Sequence, residues 1–271
     1  MSLNQAPLNL LLTQVEAIAR RAAAAVMAIY ATDFKVEGKA DDSPVTAADR
    51  QAEAIITRAL QQLSPEWPQW PVVAEEAAAA GLAPQVDHSF WLVDPLDGTR
   101  EFVARNGEFT VNIALVQHGT PVLGVVLVPA SGLLYSGLTG EAFSSEHHGA
   151  WRTRDGVRQA IHSRAVPPQG AQLATSRSHG NDQRLADWLK DIPVGGRTFR
   201  GSSWKFGLLA EGSADLYPRF GRTMEWDTAA GHAVLAAAGG SVCNLDGSPL
   251  QYGKPCFENP HFVARGCAAT G

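Results

Sequence analysis

The spacing of hydrophobic positions changes along the chain. In the first 60 residues, apolar residues recur at steps of three and four, which is the period of an amphipathic helix. The pattern predicts one helix over residues 8–29 and a second from Thr46 towards Leu60. The polar stretch between them, Lys35 to Pro44, predicts a loop or a short hairpin because it contains Gly38 and Ser43-Pro44.

From Pro71 onward the hydrophobic pattern becomes that of strands. Short apolar runs are separated by Gly, Pro or charged residues, which predicts strands. The runs cover residues 72–74, 90–93, 110–117, 123–129 and 133–135. The segment His118-Gly119-Thr120-Pro121 predicts the turn of a hairpin.

After the break at residues 167–170, strand and helix patterns alternate. The pattern predicts elements over residues 172–175, 184–189 and 204–210, and a last helix over 228–238 that Gly239-Gly240 ends. We therefore predict an α/β fold with α+β features in stacked layers. We also predict two lobes, residues 1–165 and residues 166–271, while the topology stays open.

Composition limits the classes of function. Of the 271 residues, 45% are hydrophobic and 18% charged, a globular balance, and the net charge of -5 argues against binding a nucleic-acid polymer on a broad basic face. The cysteines Cys243, Cys256 and Cys267 lack the spacing of a disulfide framework or a zinc site, which favours a reducing cytoplasm. The apolar run at residues 8–12 is too short to cross a bilayer, so no transmembrane segment is predicted.

The segment Asp94-Pro95-Leu96-Asp97-Gly98-Thr99 is the most informative one for chemistry. It follows the apolar strand 90–93, Pro95 restricts the backbone, and Gly98 permits the positive φ of a tight turn. Such a turn can direct both carboxylates into one space, where a hard divalent cation relieves their repulsion. The short helix that follows has free amides for a phosphate oxygen, close to Gly98 and Thr99. Taken alone, however, an Asp-x-x-Asp is also typical of a helix cap.

Other acidic residues follow or precede predicted elements. Glu75-Glu76 closes the strand 72–74, and Asp227 precedes the helix predicted from Thr228. Each has a structural alternative, as solvated charge or as a helix N-cap. Asp49 matches the third position of a capping box that begins at Thr46, and its spacing leaves open whether it also faces a metal.

Four segments in this order resemble the inositol monophosphatase superfamily of magnesium-dependent, lithium-sensitive phosphatases. These segments are Val45-Thr46-Ala47-Ala48-Asp49, Glu75-Glu76, Asp94 to Thr99, and Trp226-Asp227-Thr228-Ala229-Ala230-Gly231. The resemblance covers nearly the whole chain and implies the layered fold of that superfamily. It also implies two to three Mg²⁺ ions per site.

Further segments look like the bacterial CysQ-type 3'(2'),5'-bisphosphate nucleotidases within the superfamily. They are residues 105–112, 176–179, 201–206 and 216–221. This resemblance implies removal of the 3'-phosphate from 3'-phosphoadenosine 5'-phosphate, and from 3'-phosphoadenylyl sulfate as well, in sulfur assimilation and nucleotide recycling. Two rivals remain: an inositol or sugar monophosphatase on the same scaffold, and a non-catalytic nucleotide or metal sensor.

The resemblance also implies the role of each site residue. The metal ligands would be Glu75, Asp94, the Leu96 carbonyl, Asp97 and Asp227, and the catalytic pair Asp49 and Thr99. The substrate contacts would come from Glu75, Leu96, Asp97, Gly98, Thr99, His179, Ser202, Lys205, Arg219 and Asp227. One ion would activate a water that attacks phosphorus in line, and a second would stabilise the leaving oxygen.

Several of the substrate residues that are not acidic also have structural alternatives. Ser202 or Ser203 could cap the helix that follows, Lys205 could be solvated, and Arg219 could pair with an acid. His179 is either a neighbour of the nucleotide or a structural histidine. We expect a cytoplasmic protein, with or without peripheral contact to the inner membrane, that is a monomer or a homodimer.

Overall fold

The computed structural model describes residues 8–38, 44–63, 67–139, 148–176 and 183–267. Its helices are α1 Leu8–Tyr30, α2 Ala47–Gln61, α3 Glu75–Ala79, α4 Thr99–Val103, α5 Gln183–Trp188, α6 Trp204–Ala210 and α7 Glu225–Ala237. Its strands are β1 Val36–Gly38, β2 Pro44–Thr46, β3 Val72–Ala74, β4 Ser89–Asp97, β5 Thr110–Gln117, β6 Thr120–Val128, β7 Leu133–Leu138, β8 Gly149–Arg154, β9 Val157–Ile161, β10 Ala171–Thr175, β11 Val194–Phe199, β12 Leu216–Arg219, β13 Ser241–Asn244 and β14 Phe262–Arg265.

The larger sheet follows chain order, from β3 to β9. Its strands are antiparallel except for the β3–β4 pair, which is parallel. Along β4, Trp91 and Val93 join the core beneath α1 and α2, while Phe90 and Leu92 join the core beneath α7. Because both faces are covered, residues 90–93 of this strand are apolar at every position rather than at alternate ones.

The smaller sheet has the order β11-β10-β12-β14-β13. Its inner face shares a core with α6 and α7, and its outer face packs on α5 through Leu173, Leu185 and Leu216. The layers are therefore α1 and α2, the larger sheet, α6 and α7, the smaller sheet, and α5. This arrangement confirms the predicted layered α/β class.

Helix α7 lies very close to the larger sheet because glycines remove side chains along its path. A Cβ atom on Gly124 of β6 would lie 2.2 Å from the Ala230 carbonyl oxygen. A Cβ atom on Gly137 of β7 would lie 2.6 Å from the Val234 Cα atom. The two glycines thus set the depth at which α7, and any side chain at its start, is held.

Several predicted boundaries shift in the structure. The hairpin alternative for residues 35–44 is confirmed, since β1 and β2 pair antiparallel. Strand β4 continues through Asp94 to Asp97, beyond the apolar run. The β8–β9 hairpin was missed because both strands contain charged residues and carry no apolar run, and β9 is mostly exposed.

The predicted division between residues 165 and 166 falls in the connection between the two sheets. The α6–α7 layer from the second half packs on the sheet of the first half, so both halves contribute to one core. The two-lobe description stays a prediction about the chain. In the part of the chain that the structure describes, no helix combines the length and apolarity that crossing a membrane requires.

We expect Gly124→Ala to lower the free energy of unfolding by about 1–3 kcal/mol, the usual cost of overpacking a core. The added methyl group would meet the Ala230 carbonyl at 2.2 Å, so α7 must shift. Urea unfolding followed by circular dichroism measures the change. Gly38→Ala is the matched control, since nothing lies within 4 Å of its added Cβ atom. Equal stability of the two variants would show that α7 is not held at this depth.

Candidate metal centre

A distortion at the end of β4 brings Asp94 and Asp97 to the site. The pairing of β4 with β5 shifts between these residues, which is the geometry of a bulge. Within it, the Leu96 amide donates to Asp94 Oδ1 at 3.0 Å, and the Leu96 side chain is buried as an anchor. Gly98 then has a φ of 93°, as its position in the predicted turn required. The chain can therefore turn into α4 directly after Asp97.

Two further acids enter from the first turns of helices. Glu75 is the first residue of α3. The Glu53 carboxylate of α2 caps this helix by accepting from the Glu76 and Ala77 amides at 2.7 and 3.0 Å. Asp227 lies in the first turn of α7. The positive end of a helix dipole favours a carboxylate at such a position.

The prediction for the start of this last helix was wrong by three residues. Helix α7 begins at Glu225 rather than Thr228, so Asp227 is its third residue and not its N-cap. Glu225 is buried, and its carboxylate accepts from the amides of Gly253 and Lys254 at 2.7 and 2.9 Å and pairs with Lys254 Nζ at 2.7 Å. Since a loop far along the chain compensates this buried charge, the helix starts earlier than local sequence indicates.

The acids line one cavity of about 250 Å³. Glu75, Asp97 and Asp227 are part of its wall, and Asp94 is buried behind them. Burial, followed by the charges of Glu75, Asp97 and Asp227, raises the pKa of Asp94 well above its usual range. Burial, followed by the charges of Asp97 and Glu75, does the same to the pKa of Asp227. The four carboxylates therefore repel one another in a region with little water to screen them.

The chemistry of this donor set fits a hard divalent cation. All the candidate ligands are oxygens, including the Leu96 carbonyl, and oxygen ligands suit magnesium. Among the described residues, no group of three or more His, Cys, Asp or Glu side chains is already arranged as a metal shell.

Asp49 and Thr99 meet at the edge of the cavity. Asp49 is fully buried at the third position of α2, where Oδ2 accepts from the Thr46 amide at 2.7 Å and from Thr46 Oγ1 at 2.8 Å. Its other oxygen, Oδ1, accepts from Thr99 Oγ1 at 3.1 Å. The capping box is thus confirmed, and one carboxylate both caps α2 and contacts Thr99. Burial raises the pKa of Asp49 despite the opposing effect of these hydrogen bonds.

Cationic side chains from α6 and β12 line the same cavity as the acids. Lys205 is buried, which excludes the solvated alternative, and its Nζ donates to the Ser202 carbonyl at 2.6 Å. Burial lowers its pKa to about 8. Arg219 lines the same cavity, and its Nε is buried without a hydrogen-bond partner among the described residues.

Of the other predicted substrate residues, Ser202 lies at the cavity and His179 lies outside the part of the chain that the structure describes. Ser202 lines the cavity at a positive φ of 47° and precedes the N-cap position of α6, so it is not the cap. Its Oγ donates to the Glu108 carbonyl at 3.0 Å.

Sequence reasoning gave no role in the site to three polar residues of this region. Glu101 lines the cavity one turn after the acidic segment, and burial raises its pKa. Glu108 accepts from the Gly201 amide at 3.0 Å and so holds the turn before α6. Ser203 contacts Asp97, 106 residues away in the chain. Only the first had a local signal, because it directly follows Thr99-Arg100.

Comparisons with known proteins agree with this geometry. The model of the inositol monophosphatase family matches residues 8–266. The 3'(2'),5'-bisphosphate nucleotidase CysQ of Escherichia coli (strain K12) is 47% identical over 256 residues, which are 93% of this chain and 98% of that protein. The protein of the same name from Salmonella typhimurium is 46% identical, with the same coverage.

Solved structures give the same picture. The crystal structure of CysQ from Bacteroides thetaiotaomicron, described as a bacterial member of the inositol monophosphatase family, has a TM-score of 0.75 and 37% identity, and the match covers 94% of this chain and 96% of that one. An inositol monophosphatase from Anabaena has a TM-score of 0.72 and 25% identity, covering 96% and 92% of the two chains.

We expect Asp94→Asn to stabilise the metal-free protein at pH 8 and to weaken Mg²⁺ binding by more than about tenfold, a loss that even outer-shell changes can cause. The pKa of Asp94 is raised, so the metal-free wild type loses stability as pH rises from about 4, the unfolded value, through the folded value. The variant, which keeps the Oδ1 acceptor for Leu96, lacks that loss.

Thermal unfolding in EDTA and calorimetric titration with Mg²⁺ measure both effects. Asp155→Asn is the control, because this acid is exposed in the β8–β9 turn and asparagine tolerates its positive φ of 50°. Wild-type Mg²⁺ affinity in Asp94→Asn would remove Asp94 from the metal centre.

Proposed function

The chain belongs to the inositol monophosphatase family, and from this premise we propose that it is a magnesium-dependent 3'(2'),5'-bisphosphate nucleotidase. The substrate we propose is 3'-phosphoadenosine 5'-phosphate, with AMP and phosphate as products. We propose 3'-phosphoadenylyl sulfate as a second substrate, and a role in sulfur assimilation. The observation that carries the proposal is that one cavity is lined both by carboxylates, the acidic wall, and by the cations Lys205 and Arg219, the cationic wall.

The acidic wall would hold Mg²⁺ through Glu75, Asp94, the Leu96 carbonyl, Asp97 and Asp227. The family is metal-dependent, and we propose two to three ions per site. When bound, magnesium supplies Lewis-acid stabilisation of phosphate charge and makes water a stronger nucleophile at neutral pH. Burial, followed by the neighbouring carboxylates, raises the pKa of Asp94 and of Asp227, and this supports the assignment because a bound cation stabilises the ionised forms of both groups.

The Asp49–Thr99 pair would receive the proton of the attacking water. Thr99 Oγ1 donates its own hydrogen to Asp49 Oδ1 at 3.1 Å, so its lone pairs are available to accept from a water in the cavity. As the water oxygen attacks phosphorus, its proton would pass to Thr99 while the threonine proton passes to Asp49. The raised pKa of Asp49 supports this role, since a carboxylate is a stronger base when its pKa lies nearer to neutral.

The cationic wall would bind the second phosphate of the substrate. Lys205 and Arg219 lie in the same cavity as the acids, and an arginine can hold a phosphate through two parallel hydrogen bonds. Ser202, Gly98 and Thr99 would add polar contacts, and His179 stays a proposed neighbour of the nucleotide. A monophosphatase for inositol or sugars would use the same acids but has no second phosphate for these cations.

A non-catalytic sensor is the rival from another class. Such a protein needs a ligand site but has no use for a proton acceptor beside it. The hydrogen bond between Thr99 and Asp49 provides such a proton acceptor, so it favours the enzyme over the sensor. Phosphate release with Mg²⁺, absent in EDTA, distinguishes the two.

We expect kcat/KM for 3'-phosphoadenosine 5'-phosphate to exceed that for inositol 1-phosphate clearly. Arg219→Gln should lower the value for the bisphosphate by about 10- to 100-fold, the range for losing hydrogen bonds to a charged group. The same variant should change kcat/KM little for 3'-AMP, which lacks the 5'-phosphate. Phosphate-release assays on the three substrates measure this. Preference of the wild type for inositol 1-phosphate would overturn the choice of substrate.

We also expect kcat/KM for the bisphosphate to fall as pH rises through about 8. Burial lowers the pKa of Lys205 to about 8, so the free enzyme is cationic at this residue below that pH and neutral above it. The substrate phosphates are fully ionised over this range, so they do not cause the fall. A pH profile of kcat/KM reports the free enzyme. With 3'-AMP, or in Lys205→Arg, this alkaline limb should disappear; its persistence in both would show that another group causes it.

A further inference from the structure

One oxygen of Asp97 receives hydrogen bonds from two different elements. The Ser203 amide and Ser203 Oγ lie 2.6 and 2.7 Å from Asp97 Oδ2. Thr110 Oγ1 and Asn112 Nδ2 of β5 both approach the same oxygen at 3.4 Å. A carboxylate oxygen has two lone pairs, and these four protein donors compete for the two lone pairs of Oδ2. Oδ2 is therefore committed to the protein, and Oδ1 is the oxygen left to serve the cavity.

Ser203 itself is a junction between elements. It is 2% exposed at the N-cap position of α6, yet its side chain does not cap that helix. Its hydroxyl accepts from Asn112 Nδ2 at 3.0 Å, and its single proton has two acceptors, Asp97 Oδ2 and the Asp227 carbonyl oxygen. One hydroxyl group thus connects β5, the end of β4 and the first turn of α7.

We infer that Ser203 is a positioning residue for the metal centre. It holds the Asp97 carboxylate in one orientation and ties it to the backbone of Asp227, so the ligands from β4 and α7 keep a fixed relation. The inference rests on the metal role proposed above for Asp97 and Asp227. Outer-shell partners of this kind orient ligands, and their loss costs metal affinity even though they touch no metal.

The same turn links the metal centre to the cationic wall. Ser203 follows Ser202, whose carbonyl accepts from Lys205 Nζ at 2.6 Å. The Ser203 amide is bonded to Asp97 Oδ2 at 2.6 Å. A displacement of this turn would therefore move the Lys205 ammonium and the Asp97 carboxylate together. Ser203 would in this way couple the two walls of the cavity as well as orient one ligand.

The test measures metal binding without substrate, using Mn²⁺ as the probe and electron paramagnetic resonance to count the free ion. Ser203→Ala should weaken Mn²⁺ binding by about tenfold, the lower end of the range for outer-shell changes, because the backbone amide still reaches Asp97 Oδ2. Ser203→Thr, which keeps the hydroxyl, should restore most of the affinity.

Ser136→Ala is the matched control. This serine is also fully buried, and its hydroxyl has no hydrogen-bond partner among the described residues. Ser136→Ala should therefore bind Mn²⁺ like the wild type. Unfolding temperatures in EDTA separate a loss of fold from a loss of positioning. If Ser203→Ala does not fold, Asn112→Leu tests the same chain of bonds, and it should weaken Mn²⁺ binding in the same direction.

The variant Asp97→Asn distinguishes a failure of the inference about Ser203 from a failure of the proposed metal centre. If it binds Mn²⁺ as tightly as the wild type, Asp97 is not a ligand and the proposal for the metal centre fails first. A second outcome is that Asp97→Asn loses Mn²⁺ but Ser203→Ala folds and binds Mn²⁺ within about twofold of the wild type. In that case only the inference about Ser203 is wrong. Asn112→Leu replaces Ser203→Ala in this comparison if the latter does not fold. A purely structural role would lower the unfolding temperature and leave Mn²⁺ affinity unchanged, which also overturns it.

Discussion

Mutual repulsion among Glu75, Asp94, Asp97 and Asp227 is the constraint on which the rest of this molecule depends. Burial and neighbouring charge raise the pKa of Asp94 and Asp227 together, so the fold holds these groups where water stabilises them poorly. Part of the repulsion is offset by placing Glu75 and Asp227 in the first turns of helices. The remainder is left for a bound cation, which is how an acidic protein can attract a phosphate ester.

The layers of the fold supply rigid support for this crowded site. The four acids come from three elements: Asp94 and Asp97 from the bulged end of β4, Glu75 from the start of the short helix α3, and Asp227 from the start of the longer helix α7. The long helix is held at close approach by Gly124 and Gly137, and its first turn is anchored by Glu225. Sites built on helices and strands in this way are held more accurately than sites on loops.

Local sequence predicted the parts of the site that depend on local physics. The apolar run before Asp94, the turn at Gly98 and the capping box at Asp49 all follow from backbone preference and periodicity, and the structure confirms each of them. The start of α7 was predicted wrongly because a distant loop at Gly253 and Lys254 stabilises its first turn. Ser203 was overlooked as a partner of Asp97 for the same reason, since tertiary contacts leave no periodic signal in the chain.

The two carboxylate oxygens of Asp49 have different functions, one in the fold and one in the candidate site. One closes the first turn of α2 against Thr46, and the other reaches Thr99 from a segment fifty residues away. In this structure the carboxylate that closes the first turn of α2 is the one that contacts Thr99, so formation of that turn also places the reactive group. A replacement of Asp49 therefore alters two properties at once, the closure of the first turn of α2 and the hydrogen bond to Thr99.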